Sequence, residues 1–180
     1  MIAPRLLSVP VFVAAALGVT WAPAGADDAA CQAVLQAAIK QAAVPVHQKI
    51  TVESAAAPGK PMQSEMIRLG DTLYMQVGGR WTARPYDAAK SADDARQAMI
   101  KAEHSCMRVR SEAVDGQPAE LYSVQSKTAT GSSDSQVWIS TATGLPLRQS
   151  ISILEQGTIK MKNEVRFDYA NVRAPAGVSR

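Results

Sequence analysis

The sequence predicts an α+β fold: a curved antiparallel β-sheet, a half-barrel, with two helices covering its concave face. Two segments carry apolar residues at helical spacing, whereas most of the rest alternates apolar and polar residues with a period of two. In the second half, turn residues recur at intervals of about 10–14 residues, the mark of an antiparallel meander. Two helices are then the only elements available to cover a long sheet.

The N-terminus has the order of a cleavable export signal: Arg5, an apolar stretch from Leu6 to Val19, then Ala24-Gly25-Ala26. Cleavage after Ala26 is expected, leaving Asp27 first. Ser8, Pro10 and Pro23 interrupt the apolar run, which falls short of the roughly 20 clean apolar residues a spanning helix requires. No later segment is apolar enough to span a bilayer. Cys31 raises the alternative of a lipid-carrying cysteine, but Asp28 stands three places earlier, where such a signal carries an aliphatic residue. The expected organisation is a leader over 1–26, one domain over 27–175 and a flexible tail over 176–180. A domain of this size buries roughly 68–70% of the surface its unfolded chain exposes, enough for a core without metal. Formal net charge is +3, one unit of which leaves with Arg5, and both signs are scattered. That distribution carries no nucleic-acid footprint.

The first helix is expected over 29–43, where Cys31, Val34, Leu35, Ala38 and Ala42 share one stripe and Pro45 ends the pattern. From Val46 the period becomes two, with Val46, Ile50 and Val52 on one face and His47, Lys49, Thr51 and Glu53 on the other. A small-residue loop over 55–61 precedes strands over 64–69 and 72–77, joined at Gly70-Asp71, and Gly78-Gly79 turns the chain into Arg80-Trp81-Thr82. A second helix follows Pro85 and Tyr86, with Ser91 and Asp94 as its expected N-terminal cap, and ends near His104. Strands are expected over 107–113, 119–127, 136–140, 145–154 and 159–169. Turns separate them at Asp115-Gly116, over 131–134, at Thr143-Gly144 and at Gln156-Gly157. The last strand sets Lys160, Lys162, Glu164, Arg166 and Asp168 against Ile159, Met161, Val165, Phe167 and Tyr169, a solvent face over a core face.

Cys31 and Cys106 are the chain's two cysteines, in a domain expected to be exported to a compartment where thiols are oxidised. A disulfide is the simplest account; two buried free thiols are the other.

Chemistry for catalysis is sparse. Nucleophilic hydrolysis needs Ser or Cys beside His, yet the two histidines, His47 and His104, fall on a strand's outer face and at a helix end, and no Gly-x-Ser-x-Gly elbow occurs. Metal-ligand clusters and a phosphate-cradling Gly-rich loop are also missing from the sequence pattern. No enzyme activity, metal or cofactor is expected.

A binding surface remains. Met62, Met66, Met75, Met99, Met107 and Met161 supply flexible thioethers suited to adaptable apolar pockets, and equally to an ordinary filled core. Trp138 lies between Val137 and Ile139, so both faces of its strand are apolar, and it is expected to be covered by a helix or to line a cavity. The candidate ligand contacts are Met66, Tyr74, Met75, Tyr122 and Trp138.

The run Val137-Trp138-Ile139-Ser140, the turn Thr143-Gly144-Leu145-Pro146-Leu147-Arg148 and the closing Phe167-Asp168-Tyr169-Ala170-Asn171-Val172 resemble the end of proteins in the LolA/LolB periplasmic lipoprotein-carrier superfamily. Helix, meander, helix, meander is also that family's order. The resemblance implies a half-barrel with an apolar concave cavity and no individual contact residue. Together these readings predict a periplasmic carrier for a lipid or acyl chain. The alternative is a ligand-free interaction module that assists an envelope complex and meets a protein partner.

Overall fold

A computed structural model describes residues 28–128 and 131–179; the leader and its cleavage site lie outside the described residues. Helix α1 spans Asp28–Ala42 and buries Ala30, Ala37 and Ala42, whose small side chains let it sit close on the sheet. It stops before Pro45, because proline disfavours helical geometry in the residue that precedes it.

Four strands follow: β1 (Val46–Ser54), β2 (Met62–Leu69), β3 (Thr72–Val77) and β4 (Arg80–Pro85). Helix α2 (Ala88–Lys101) leads to β5 (Glu103–Val114), β6 (Gln117–Thr128), β7 (Gly131–Ser140), β8 (Pro146–Glu155), β9 (Thr158–Asp168) and the two-residue β10 (Val178–Ser179). The sheet order is β10-β4-β3-β2-β1-β9-β8-β7-β6-β5. Nine strands pair antiparallel in an unclosed, curved sheet with the two helices packed against it, and β10 adds a parallel pair with Trp81 and Thr82 on the β4 edge. Two meanders therefore meet at the β1–β9 seam, and α2 carries the chain from one edge of the sheet to the other.

Several local expectations shift. The α2 cap is Asp87, whose side chain accepts from the Lys90 amide at 2.9 Å, while Ser91 already donates its amide to the Asp87 carbonyl inside the first turn. Asp is as good a cap as Ser, so spacing alone could not separate them. The segment 131–134, expected as a loop, opens β7 and pairs with β6 and β8. Val178 and Ser179, expected in a tail, form the β10 pairing. Asp115 and Gly116 (φ 50° and 79°) form the tight β5–β6 turn as expected, both with the positive φ that matches strand twist in a two-residue hairpin.

Opposed residues on neighbouring strands share a face, so the register sorts the side chains. One transverse row runs Cys106, Val124, Ser135, Ile151, Asn163, Val52, Met62. This is the helix face: Ala30 packs with Cys106 and Val124, joined by Cys31, Val34, Met99 and Tyr122, and Ala37 packs with Val137 and Ile139. Cys31 and Cys106 form a disulfide with Cα atoms 5.1 Å apart, tying the start of α1 to β5.

A second core lies on the opposite face. Val114, Ala119, Leu121, Trp138 and Leu147 cluster there, with Leu121 fully buried. Trp138 is thus covered neither by a helix nor by a cavity wall. The Arg148 guanidinium stacks 4.8 Å from its ring, and its indole N–H donates to Glu112. An aromatic indole needs a cover and a hydrogen-bond acceptor; Arg148 of β8 supplies the first and Glu112 of β5, across β6, the second.

Candidate functional site

Helix α1 packs on β5 to β8, and α2 packs on α1 and β5. Between the helices and the helix face of β1 to β4 lies an open groove of about 690 Å³. Its floor comes from alternating strand residues, Gln48, Met66, Arg68, Leu73 and Arg84, and its rim from the end of α1 and the first turns of α2. Its size falls within the range of small-ligand sites.

Arg68 is the organising residue. It is 5% exposed, and its guanidinium donates to the Val44 carbonyl at 2.8 Å and 3.2 Å, to the Gln41 carbonyl and to the Tyr86 hydroxyl at 3.1 Å. Tyr86 in turn donates to the Ala42 carbonyl at 3.1 Å, and Arg68 lies 5.0 Å from its ring centroid. Arg68 and Tyr86 together therefore satisfy the Gln41 and Ala42 carbonyls that the C-terminus of α1 leaves open, and Arg68 also satisfies the Val44 carbonyl just beyond it. All these acceptors are neutral, so the cation is compensated by dipoles alone, and burial lowers its pKa from the ordinary arginine value. Tyr169 packs nearby, donates to the Pro146 carbonyl at 2.7 Å, and burial pushes its phenol pKa well up, against a smaller opposing pull from Arg68.

The groove gathers both signs of charge. Lys90 pairs with Asp94 at 2.8 Å, Asp87 is occupied as the α2 cap, and Arg84 has no ion-pair partner among the described residues. Arg84 lies opposite Leu73, which lies opposite Arg68, so two guanidiniums flank one leucine. In the next row Met66 faces Met75, placing thioethers beside the cations.

The five candidate contacts do not share a surface. Met66 and Met75 lie side by side on the helix face, and Met66 lines the groove. Tyr122 is on the same face of the sheet but packs under α1 on the far side. Tyr74 and Trp138 belong to the opposite face, by the pairings Ile67–Tyr74 and Leu121–Trp138. Trp138 anchors a polar network there: hydrogen bonds from Trp138 and then Arg110 hold the Glu112 carboxyl below its ordinary pKa, and Arg148 joins Glu164 at 2.9 Å.

Both histidines have partners: His47 meets Glu65 at 2.6 Å on the outer face, and His104 Nε2 lies 3.1 Å from the Ala98 carbonyl. Among the described residues, no group of three or more His, Cys, Asp or Glu could hold a metal ion, and no helix is long and apolar enough to cross a membrane.

Arg68, Tyr86 and Arg84 escaped the sequence reading. A signal was present for Arg68: the β2 alternation Ser64, Met66, Arg68 puts a cation in the phase of the apolar face, where only an internal partner makes it tolerable.

No protein-family model matches the chain, and no functionally characterised protein matches it in sequence. Among solved structures, LprF from Mycobacterium bovis superposes with a TM-score of 0.52 at 16% identity, over 86% of this chain and 100% of LprF. MucB, in its complex with MucA(peri), superposes with a TM-score of 0.51 at 16% identity, over 82% of this chain and 60% of MucB. This chain therefore spans less than two thirds of the MucB chain. At such identities the likeness is one of fold alone, and over most of the chain it agrees with the half-barrel architecture that the closing segment implied.

Proposed function

We propose that this protein is an exported, periplasmic carrier that holds a lipid or acyl chain between its helix pair and the helix face of β1 to β3. One observation carries the reading. The helices pack chiefly on β5 to β8, and only the end of α1, through Arg68, is tied to β2, so that beside β1 to β3 Met66, Met75, Ile50 and Val52 continue an apolar strip from the floor of an open groove. A sheet whose only task was to form a core would bring its helices down on that strip, because buried apolar area stabilises by about 25 cal/mol per Å². The fold shared with LprF and MucB supports the architecture.

The second reading, an envelope interaction module, draws on the structure of MucB, which contains MucA(peri). In that case a partner segment rather than a lipid fills the same groove.

Two substitutions on opposite faces separate a ligand site from a core. Met66→Glu places a charge in the groove and is expected to lower retention of a bound acyl chain by about tenfold, equivalent to about 1.4 kcal/mol, with little loss of stability. Trp138→Ala is expected to lower stability by about 3–5 kcal/mol and leave the affinity of the folded protein unchanged. The readouts are native mass spectrometry of protein purified from the periplasm, lipid uptake after delipidation, and urea unfolding. Absence of any lipid adduct and of any uptake would overturn the carrier reading, as would equal losses of affinity and stability in Met66→Glu.

A further inference from the structure

Strand β4 presents its charges on the helix face. Its helix-face residues are Arg80, Thr82 and Arg84, whereas Trp81, Ala83 and Pro85 take the opposite face, by the pairings Leu73–Arg84, Met75–Thr82 and Val77–Arg80. Beyond β4 lies only the two-residue β10, and inward charges near a sheet edge discourage pairing with other chains, which fits Arg80. Arg84 differs in place: it lines the groove with Arg68, Leu73 and Met66.

The charge balance there is one-sided. Arg68, Arg84 and Lys90 face Asp87 and Asp94, and both carboxylates are engaged, Asp94 by Lys90 and Asp87 by the α2 amide. The Arg68 guanidinium is spent on carbonyls and a phenol, which orient it without neutralising it. Arg84 is exposed, and no salt bridge holds it among the described residues, so its five N–H donors are available to a ligand. One row further along the same face come Met66 and Met75. Cation, cation, then thioether is the order an amphiphile presents in reverse, with an anionic head and an apolar tail.

We infer that the groove selects a lipid with an anionic head group, Arg84 contacting the head, Arg68 supplying a fixed positive background and the Met66–Met75 pair receiving the first part of the tail. This rests on the carrier reading and narrows its ligand class. A free anion would have no use for the methionine row, which is why a lipid is the occupant.

The test titrates delipidated protein, purified from the periplasm, with dihexanoylphosphatidylglycerol and dihexanoylphosphatidylcholine, which share their tails and differ in net head-group charge. The expected result is a preference of roughly five- to tenfold for the glycerol lipid, shrinking as salt is raised. Arg84→Gln should abolish the preference, weakening phosphatidylglycerol binding more than phosphatidylcholine binding, Arg84→Lys should keep part of it, and Lys49→Gln, an equal charge change on the opposite face, should leave it intact. Equal binding of the two lipids by the wild type would overturn the inference and leave the carrier reading standing, whereas binding of neither would overturn both. Displacement of the glycerol lipid by millimolar inorganic phosphate would also count against a lipid-specific site.

Discussion

Arg68→Met is the most informative single perturbation, because it removes the link between β2 and the end of α1 while keeping an unbranched apolar stem. The Val44 carbonyl, just beyond α1, loses its donor, at a cost of about 1–3 kcal/mol when left without a partner, and the Gln41 carbonyl in the last turn keeps only the Val44 amide at 3.4 Å. The stack on Tyr86 adds about 1 kcal/mol. Against this, a buried cation compensated only by neutral groups carries a desolvation penalty that methionine does not, and relief of that penalty returns a large part of the sum. The expected net loss is about 2–3 kcal/mol, a fall in melting temperature of roughly 4–12 °C for a domain of this size. Urea unfolding gives the free energy, and amide hydrogen exchange locates it: protection should fall in the last turn of α1 and first in the amides nearest Gln41 and Val44. Arg68→Lys retains the charge without the forked geometry and should recover only part of the loss. A change below about 0.5 kcal/mol with unaltered exchange in α1 would refute the role given to Arg68 as the cap of that helix.

At the other end of α1, replacing both cysteines (Cys31→Ala with Cys106→Ala) opens a loop of 75 residues and should cost about 4 kcal/mol by loop entropy; a urea midpoint indistinguishable from that of the oxidised protein would contradict this. Tyr169 carries a pH signature. Its phenol pKa is raised by burial, so its contribution is complete below the unfolded value of about 10 and declines as pH rises above it. Tyr169→Phe should lose about 1 kcal/mol at pH 7 with the bond to Pro146, yet show a shallower stability decline above about pH 10 than the wild type; parallel declines would argue against a buried neutral phenol.

Much of the architecture was legible because it follows from local chemistry. The period of two in 46–53 and 159–169, the Asp115-Gly116 turn and the proline after α1 each act within a few residues, and all appear where expected. The cysteine pairing was legible from the expected compartment and the number of cysteines together. Trp138 was not: apolar neighbours on both sides showed that both faces of β7 are covered, but not by what, and the cover is Arg148 from the next strand. The groove was invisible for the same reason, since Gln41, Arg68, Arg84 and Asp94 are far apart in the chain.

By itself, then, the sequence determined most of the elements, their alternation and the half-barrel class, and pointed to the cross-link, all set by dihedral preference, side-chain period and thiol chemistry. Tertiary structure alone decided which face each strand turns to the helices, that α1 settles on β5 to β8 and α2 on α1 and β5, and that a buried arginine without a carboxylate holds a helix end beside an open groove. Those outcomes depend on register and on packing between residues distant in sequence, and a one-residue change of register exchanges the two faces of a strand without altering its pattern.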